Sequence, residues 1–187
     1  MGKKILSILV LTVPRRVDNY FPRLMVDLHR QAGGHSAGEI EVLGLYDNRT
    51  RTIGSKREAL LGLVQGDYFA FIDDDDRVSP DFVSKILGAI RDNPGVDLVL
   101  YQTMVERPGA SNYICHYDKD IEKPIFDPEP HKVYYGPPAH HHVWRTDLGR
   151  QFHFPDQNVG EDFAWTLAVR KAVRTQVKIE EVLYYYN

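Results

Sequence analysis

Cysteine is all but missing. Cys115 stands alone among 187 residues, so no internal disulfide can form and no cysteine zinc site can be assembled. A reducing compartment suits such a chain. Long hydrophobic runs are missing too: the longest near the start, Ile5 to Val13, contains Ser7 and Thr12 and falls far short of the ~20 apolar residues that span a bilayer. Lys3 and Lys4 precede it as in a secretory signal, but Pro14, Arg15 and Arg16 stand where a small-residue cleavage site belongs. The expectation is a cytoplasmic protein without a membrane segment. No excess of one charge exists either. The formal net charge is −3, which supplies no footprint for tight nonspecific binding to nucleic acid. Repeats, low-complexity tracts and long Gly/Ser linkers are absent, and the length suits one domain of roughly 100 to 200 residues.

What is present is an alternation of strand-like and helix-like stretches, the signature of an α/β domain with a mainly parallel central sheet flanked by helices. Ile5 to Leu11 reads as a strand buried on both faces, followed by a helix that Asp18 or Asn19 can cap and that carries Leu24, Met25 and Leu28. Glu41 to Tyr46 is a second strand. The helix after Gly54 is expected to turn Ala59, Leu60, Leu63 and Val64 inward and to stop at Gly66. Tyr68 to Ile72 is a third strand; Ser79, Pro80 and Asp81 start a helix bearing Val83, Ile86, Leu87 and Ile90, with proline at its first position. Asn93, Pro94 and Gly95 end it, before a strand at Val96 to Tyr101. Glu106 to Pro138 gives no period and is left open. His140 to Arg145 is predicted as a strand, Glu161 to Lys171 as a helix with Phe163 and Leu167 one turn apart, and Val177 to Ile179 and Val182 to Tyr186 as closing strands.

Chemistry concentrates where the third strand runs into Asp73, Asp74, Asp75 and Asp76. Two unit charges ~5 Å apart repel by on the order of 3 kcal/mol at an effective dielectric near 20, so the cluster needs a cation or partial protonation. Mg²⁺ or Mn²⁺ suits an all-oxygen site that keeps waters and substrate phosphates as ligands. If the chain stays extended, Asp73 and Asp75 face one ligand while Asp74 turns aside. The competing reading is a polar turn that caps the next helix. Ligands of open α/β sheets gather beyond the carboxyl ends of the strands, which favours a site.

The segment GSKREALLGLVQGDYFAFIDDDDRVSPDFV resembles the donor-binding half of family 2 glycosyltransferases, GEDFAW resembles that family's Glu-Asp motif, and IEEVLYYY its closing strand. Together they cover most of the chain, with Glu106 to Pro138 unmatched. The resemblance implies a single GT-A domain over residues 1–187, with a nucleotide-binding half at 1–104 and an acceptor half at 105–187. It implies a metal-dependent, inverting transferase using Mn²⁺ or Mg²⁺ and a nucleotide-sugar such as a UDP-sugar. Carried over by position, it puts the donor near Val13, Pro14, Asp47, Lys56, Arg57, Asp73 and Asp74, and the metal at Asp75 and Asp73. The family often has asparagine where Glu58 stands.

Glu161 and Asp162 fall in a first helical turn, where acidic side chains are favoured whatever the function. The functional reading makes Asp162 the general base toward an acceptor hydroxyl, with Glu161 beside it. Of His140, His141 and His142, the resemblance favours His140 as a group near the metal; strand alternation alone does not separate it from His142. Trp144, Trp165 and Tyr184 to Tyr186 can stack on sugar or base rings, but core packing is the more frequent fate of aromatics at such positions. A sugar nucleotidyltransferase would need a glycine-rich phosphate loop after the first strand, and LTVPRRVDN offers none. A noncatalytic sugar- or nucleotide-binding module of the same fold is the other rival. The acceptor stays open among saccharide, protein and nucleic acid. A hydroxymethylated DNA base in a phage-infected cell is included, met through Arg49, Arg51, Lys56 and Arg57.

Overall fold

The computed structural model describes residues 3–36, 38–109, 111–127 and 133–187. In chain order the elements are β1 (Leu6–Thr12), α1 (Phe21–Gly33), β2 (Ile40–Tyr46), α2 (Ile53–Leu63), β3 (Tyr68–Asp73), β4 (Arg77–Val78), α3 (Phe82–Asp92) and β5 (Leu98–Val105). There follow β6 (Tyr113–Tyr117), β7 (Ile125–Asp127), β8 (Val133–Gly136), β9 (Val143–Arg145), α4 (Thr146–Gly149), α5 (Glu161–Arg170) and β10 (Gln176–Tyr186). The strands form one sheet in the order β2-β1-β3-β9-β5-β6-β8-β7, with β10 joined to β5 and β4. β1 runs parallel to β2 and β3, and β5 parallel to β10; β9 lies antiparallel between β3 and β5. This is the α/β domain expected, with helices on both faces of a mainly parallel central sheet.

Strand alternation divides the core. Ile8, Val10, Ala70 and Ile72 pack with Leu24 and Leu28 of α1 and Val83, Ile86 and Leu87 of α3. Leu9, Phe69 and Phe71 point the other way, toward Leu60 and Leu61 of α2 and Trp165 and Val169 of α5. Both faces are dry, which is why β1 and β3 read as continuous apolar runs. Trp144 and Trp165 belong to this second layer, fully buried, with ring centroids 5.1 Å apart.

Several local expectations fail for physical reasons. Tyr20, not Asp18 or Asn19, occupies the position before α1, and no side chain caps it; the Arg16 carbonyl accepts the backbone N–H groups of Asn19, Tyr20 and Phe21 instead. In α2, Leu61 rather than Leu63 faces inward, and Leu63 is exposed. Gly66 does not cap α2, which ends at Leu63. It is glycine because a Cβ there would stand 2.8 Å from Ser7 Oγ and 2.9 Å from the Leu6 carbonyl carbon. Pro80 lies just before Asp81, the residue that precedes the first turn of α3. Phe163 is exposed, and Trp165, Thr166 and Val169 form the buried face of α5. The two closing strands are one, β10, with register shifts between Ile179 and Tyr184. Part of the unperiodic stretch becomes β6, β7 and β8, held by pairing with β5 and with one another. Residues 110 and 128–132 of it lie outside the described residues.

Candidate active site

Beyond the carboxyl ends of β1 and β3 opens a cleft of about 530 Å³, lined by Val13, Arg16, Arg49, Arg51, Lys56, Arg57 and all four consecutive aspartates. A second cavity of about 280 Å³ adjoins it, lined by five tyrosines, His140, His141, Asp162 and Phe163. Asp73 and Tyr186 line both. Basic groups crowd the first, whereas among the described residues the second contains no lysine or arginine.

The aspartates do not alternate along a strand, because β3 ends at Asp73 and the chain turns at Asp74 and Asp75. Asp74 is buried, accepting from Thr12 Oγ1 at 2.6 Å and Arg16 Nη1 at 2.9 Å. Asp76 is buried as well, between the Tyr184 hydroxyl at 2.6 Å and the Asn187 N–H at 3.0 Å. Burial, with Asp73 and Asp75 close by, pushes its carboxyl up to about 7. Asp75 is the most accessible of the three aspartates that form an ion pair at the cleft, and it meets Arg16 Nη2 at 2.7 Å. Burial raises its pKa, with Asp73 and Asp74 adding to that and Arg16 opposing.

Asp73 is held by Arg57 Nη2 at 3.0 Å and faces His140 Nε2 at 3.3 Å. Burial disfavours its charge, but Arg57 and His140 outweigh this and keep the carboxyl well below the usual range. Arg57 is itself buried; its Nε meets Glu161 Oε1 at 3.2 Å, and its Nη1 has no hydrogen-bond partner. A buried guanidinium N–H left unpaired beside a cleft is a donor awaiting an acceptor. Glu161 therefore sits beneath Arg57 and lines neither cavity, while Asp162 lines the smaller one.

The three histidines occupy a turn ahead of β9, so alternation does not govern them. His142 Nδ1 accepts the Ala139 N–H at 2.9 Å and its Nε2 faces the Tyr101 carbonyl at 3.2 Å. These partners assign the neutral tautomer with the proton on Nε2. Burial depresses its pKa to about 3. His141 packs on Tyr184, centroids 4.4 Å apart, and burial drives its pKa well below the ordinary value. His140 differs: its Nδ1 lies 2.9 Å from Asp162 Oδ2. Burial and Arg57 press its pKa down, yet Asp73 and Asp162 outweigh them and raise it. The bond to His140 in turn holds Asp162 down at about 2.

The metal set expected at Asp75, Asp73 and His140 is not assembled. Among the described residues no three His, Cys, Asp or Glu side chains are grouped to hold an ion, and both nitrogens of His140 already face carboxylates. The residues present fit a sparser arrangement, in which Asp75, with Asp73 beside it in the cleft, offers hard oxygen ligands and phosphates and water complete the shell.

Pro14 and Asp47 also fall away from the cleft lining. Asp47 accepts from the Arg49 N–H at 2.7 Å and Thr50 Oγ1 at 2.9 Å, with Lys56 Nζ at 3.5 Å, so it shapes the loop that presents Arg49 and Arg51. Glu58 faces the His153–Phe154 segment, accepting the Phe154 N–H at 3.0 Å. Arg16 escaped the sequence reading as a site residue; its signal was only a pair of arginines after a buried strand.

The family model described as Glycosyl transferase family 2 matches residues 35–154. No curated protein matches the chain significantly in sequence. Among solved structures, S. aureus TarS in complex with UDP aligns with a TM-score of 0.71 at 16% identity, over 97% of this chain and 60% of that one. Glucosyl-3-phosphoglycerate synthase from Mycobacterium tuberculosis, in complex with Mn²⁺, UDP and glucosyl-3-phosphoglycerate, aligns at 0.61 and 11% identity, over 98% and 72%. Mannosyl-3-phosphoglycerate synthase from Rubrobacter xylanophilus gives 0.61 at 13%, over 96% and 67%. At such identities the likeness is one of fold. The chain spans 36% of one TarS chain and 60% of another.

Proposed function

We propose that this chain, which belongs to glycosyl transferase family 2, moves a sugar from a nucleotide-sugar donor to an acceptor hydroxyl, with inversion at the anomeric carbon and with help from Mn²⁺ or Mg²⁺. The observation that carries the reading is the junction of two unlike cavities at Asp73 and Tyr186. A diphosphate suits the cationic cleft, where the unpaired Arg57 Nη1 and the Lys56 ammonium offer donors. A neutral, ring-bearing hydroxyl compound suits the tyrosine-lined cavity. UDP or a related nucleotide is the donor carrier favoured by likeness to TarS and the synthase that hold UDP.

A divalent cation would be held by Asp75 and Asp73 and would offset charge on the departing diphosphate. The remaining roles belong to the protein. Arg57, fixed by Glu161 and Asp73, orients the donor from below. Asp162 accepts the proton of the incoming hydroxyl. A carboxyl at about 2 is a weak base alone, because general bases work best with a pKa near the operating pH; its bond to His140 makes the two titrate as a pair.

Incubation of the protein with nucleotide-sugars, MnCl₂ and mixed acceptors, followed by mass measurement, tests this. A product heavier by one glycosyl unit, or free sugar with released nucleoside diphosphate, is expected. Intact donor in every mixture, with UDP nevertheless bound, would favour a noncatalytic module.

A further inference from the structure

Arg16 is the one guanidinium that reaches both the buried and the accessible half of the aspartate turn. Its Nη1 meets Asp74 Oδ1 at 2.9 Å and its Nη2 meets Asp75 Oδ2 at 2.7 Å. Asp74 is anchored from the other side by Thr12 at the end of β1, so its carboxylate is a fixed post. The backbone of Arg16 is fixed too, since its carbonyl receives three N–H groups at the start of α1. Only the side chain, 42% exposed, has freedom, and it lines the cleft beside Arg57.

We propose that Arg16 is a resident counter-cation: it neutralises Asp75 while the cleft is empty and exchanges Asp75 for the donor diphosphate when a divalent cation enters with the nucleotide. The inference rests on the reading of the cleft as a nucleotide-sugar site. Without such a cation, four adjacent carboxylates would repel one another strongly enough to take up protons or distort the turn. With it, Asp75 is already paired, so a metal ion arriving alone must displace an arginine. A diphosphate supplies the arginine with a better, bidentate partner and frees the carboxylate. Metal and nucleotide thereby help each other bind, by the same factor in each direction.

The test is Mn²⁺ binding, followed by the loss of the free Mn²⁺ paramagnetic resonance signal, with and without UDP. UDP binding in chelator is measured alongside by calorimetry. Removing the competing charge in Arg16→Gln should tighten Mn²⁺ binding without UDP by roughly two- to fivefold, the upper part of the range for a partly exposed ion pair. It should weaken UDP binding in chelator and reduce the mutual enhancement. Arg16→Lys, which keeps the charge, should bind Mn²⁺ within about twofold of the unmutated protein. Tightening by Lys equal to that by Gln would overturn the charge argument. Unmutated protein that binds both probes while Arg16→Gln is indistinguishable from it would overturn the assignment of Arg16 alone. Unmutated protein that binds neither Mn²⁺ nor UDP would remove the donor-site reading and this inference together.

Discussion

His140 and Asp162 form one ion pair across the turn before β9 and the start of α5, with Nδ1 2.9 Å from Oδ2. Each moves the other's titration, raising the imidazole and lowering the carboxyl. Neither His141 nor His142 has such a partner; burial keeps both neutral. Position in a single turn thus separates three identical side chains, one whose pKa its carboxylate neighbours raise and two whose pKa burial lowers.

Asp162→Asn keeps the size of the side chain and removes the proton acceptor. Turnover should fall by about 10² to 10⁴, the usual contribution of a positioned base, while UDP affinity changes little. His140→Gln should depress turnover as well and shift its pH profile, whereas His141→Gln should leave that profile in place. Single-turnover rates with an identified acceptor, measured beside UDP binding, decide the point; unchanged chemistry in Asp162→Asn would place the base elsewhere.

Glu161→Ala should act on stability. It strips the buried Arg57 of the carboxylate at its Nε, and breaking a buried pair from one side costs about 3 to 5 kcal/mol. Glu161→Gln, which keeps an acceptor, should cost less. Urea unfolding of the two variants beside the unmutated protein provides the comparison, and midpoints equal to that of the unmutated protein would mean that the pair contributes nothing.

Acid should expose His142. Its folded pKa, about 3, lies below the unfolded value near 6.5, so between those limits the unfolded chain binds the extra proton. Stability from this group is complete above pH ~6.5 and is lost as pH falls toward 3. His142→Gln should therefore lose less stability than the unmutated protein between pH 7 and pH 4.5. Parallel losses in urea midpoint would show that His142 is already protonated or solvated.

Two glycines of α2 should respond oppositely to alanine. A Cβ on Gly54 would lie 1.8 Å from the Pro155 carbonyl oxygen, backbone that cannot yield, while Gly62 has nothing within 4 Å. Gly54→Ala should unfold at a markedly lower temperature and misplace Lys56 and Arg57. Gly62→Ala should gain roughly 0.5 to 1 kcal/mol from helix propensity. Calorimetric scans of the two variants would reveal any departure.

The parts of the fold that were legible in the sequence are those whose signal is local. β1, β3 and α3 announce themselves through apolar runs and helical spacing, and the aspartates at the end of β3 and the acids at the start of α5 followed. What stayed hidden depends on distant partners. β6 and β8 have no period of their own and exist through pairing with β5 and each other. The His140 turn sits between Pro138 and β9, where apolar flanks imitate a strand. Arg16 looked like a loop charge because its partners are 58 and 59 residues away. Leu61 replaced Leu63 because the wall it meets is β1 and α5, which the spacing of one helix does not reveal.

The antiparallel strand wedged between β3 and β5 has a consequence for biosynthesis. β9 comes from the latter part of the chain, yet it joins Tyr68 and Phe69 on one side to Leu98 and Val99 on the other. A ribosome adding roughly 5 to 20 residues per second therefore releases β3 several seconds before its neighbour exists. During that interval the middle of the sheet, with the otherwise buried strand β3, has an open edge of the kind that recruits foreign strands. The earlier and later portions of the chain therefore mature together: a nascent chain halted before Arg145 would display the aspartate turn on an unfinished sheet.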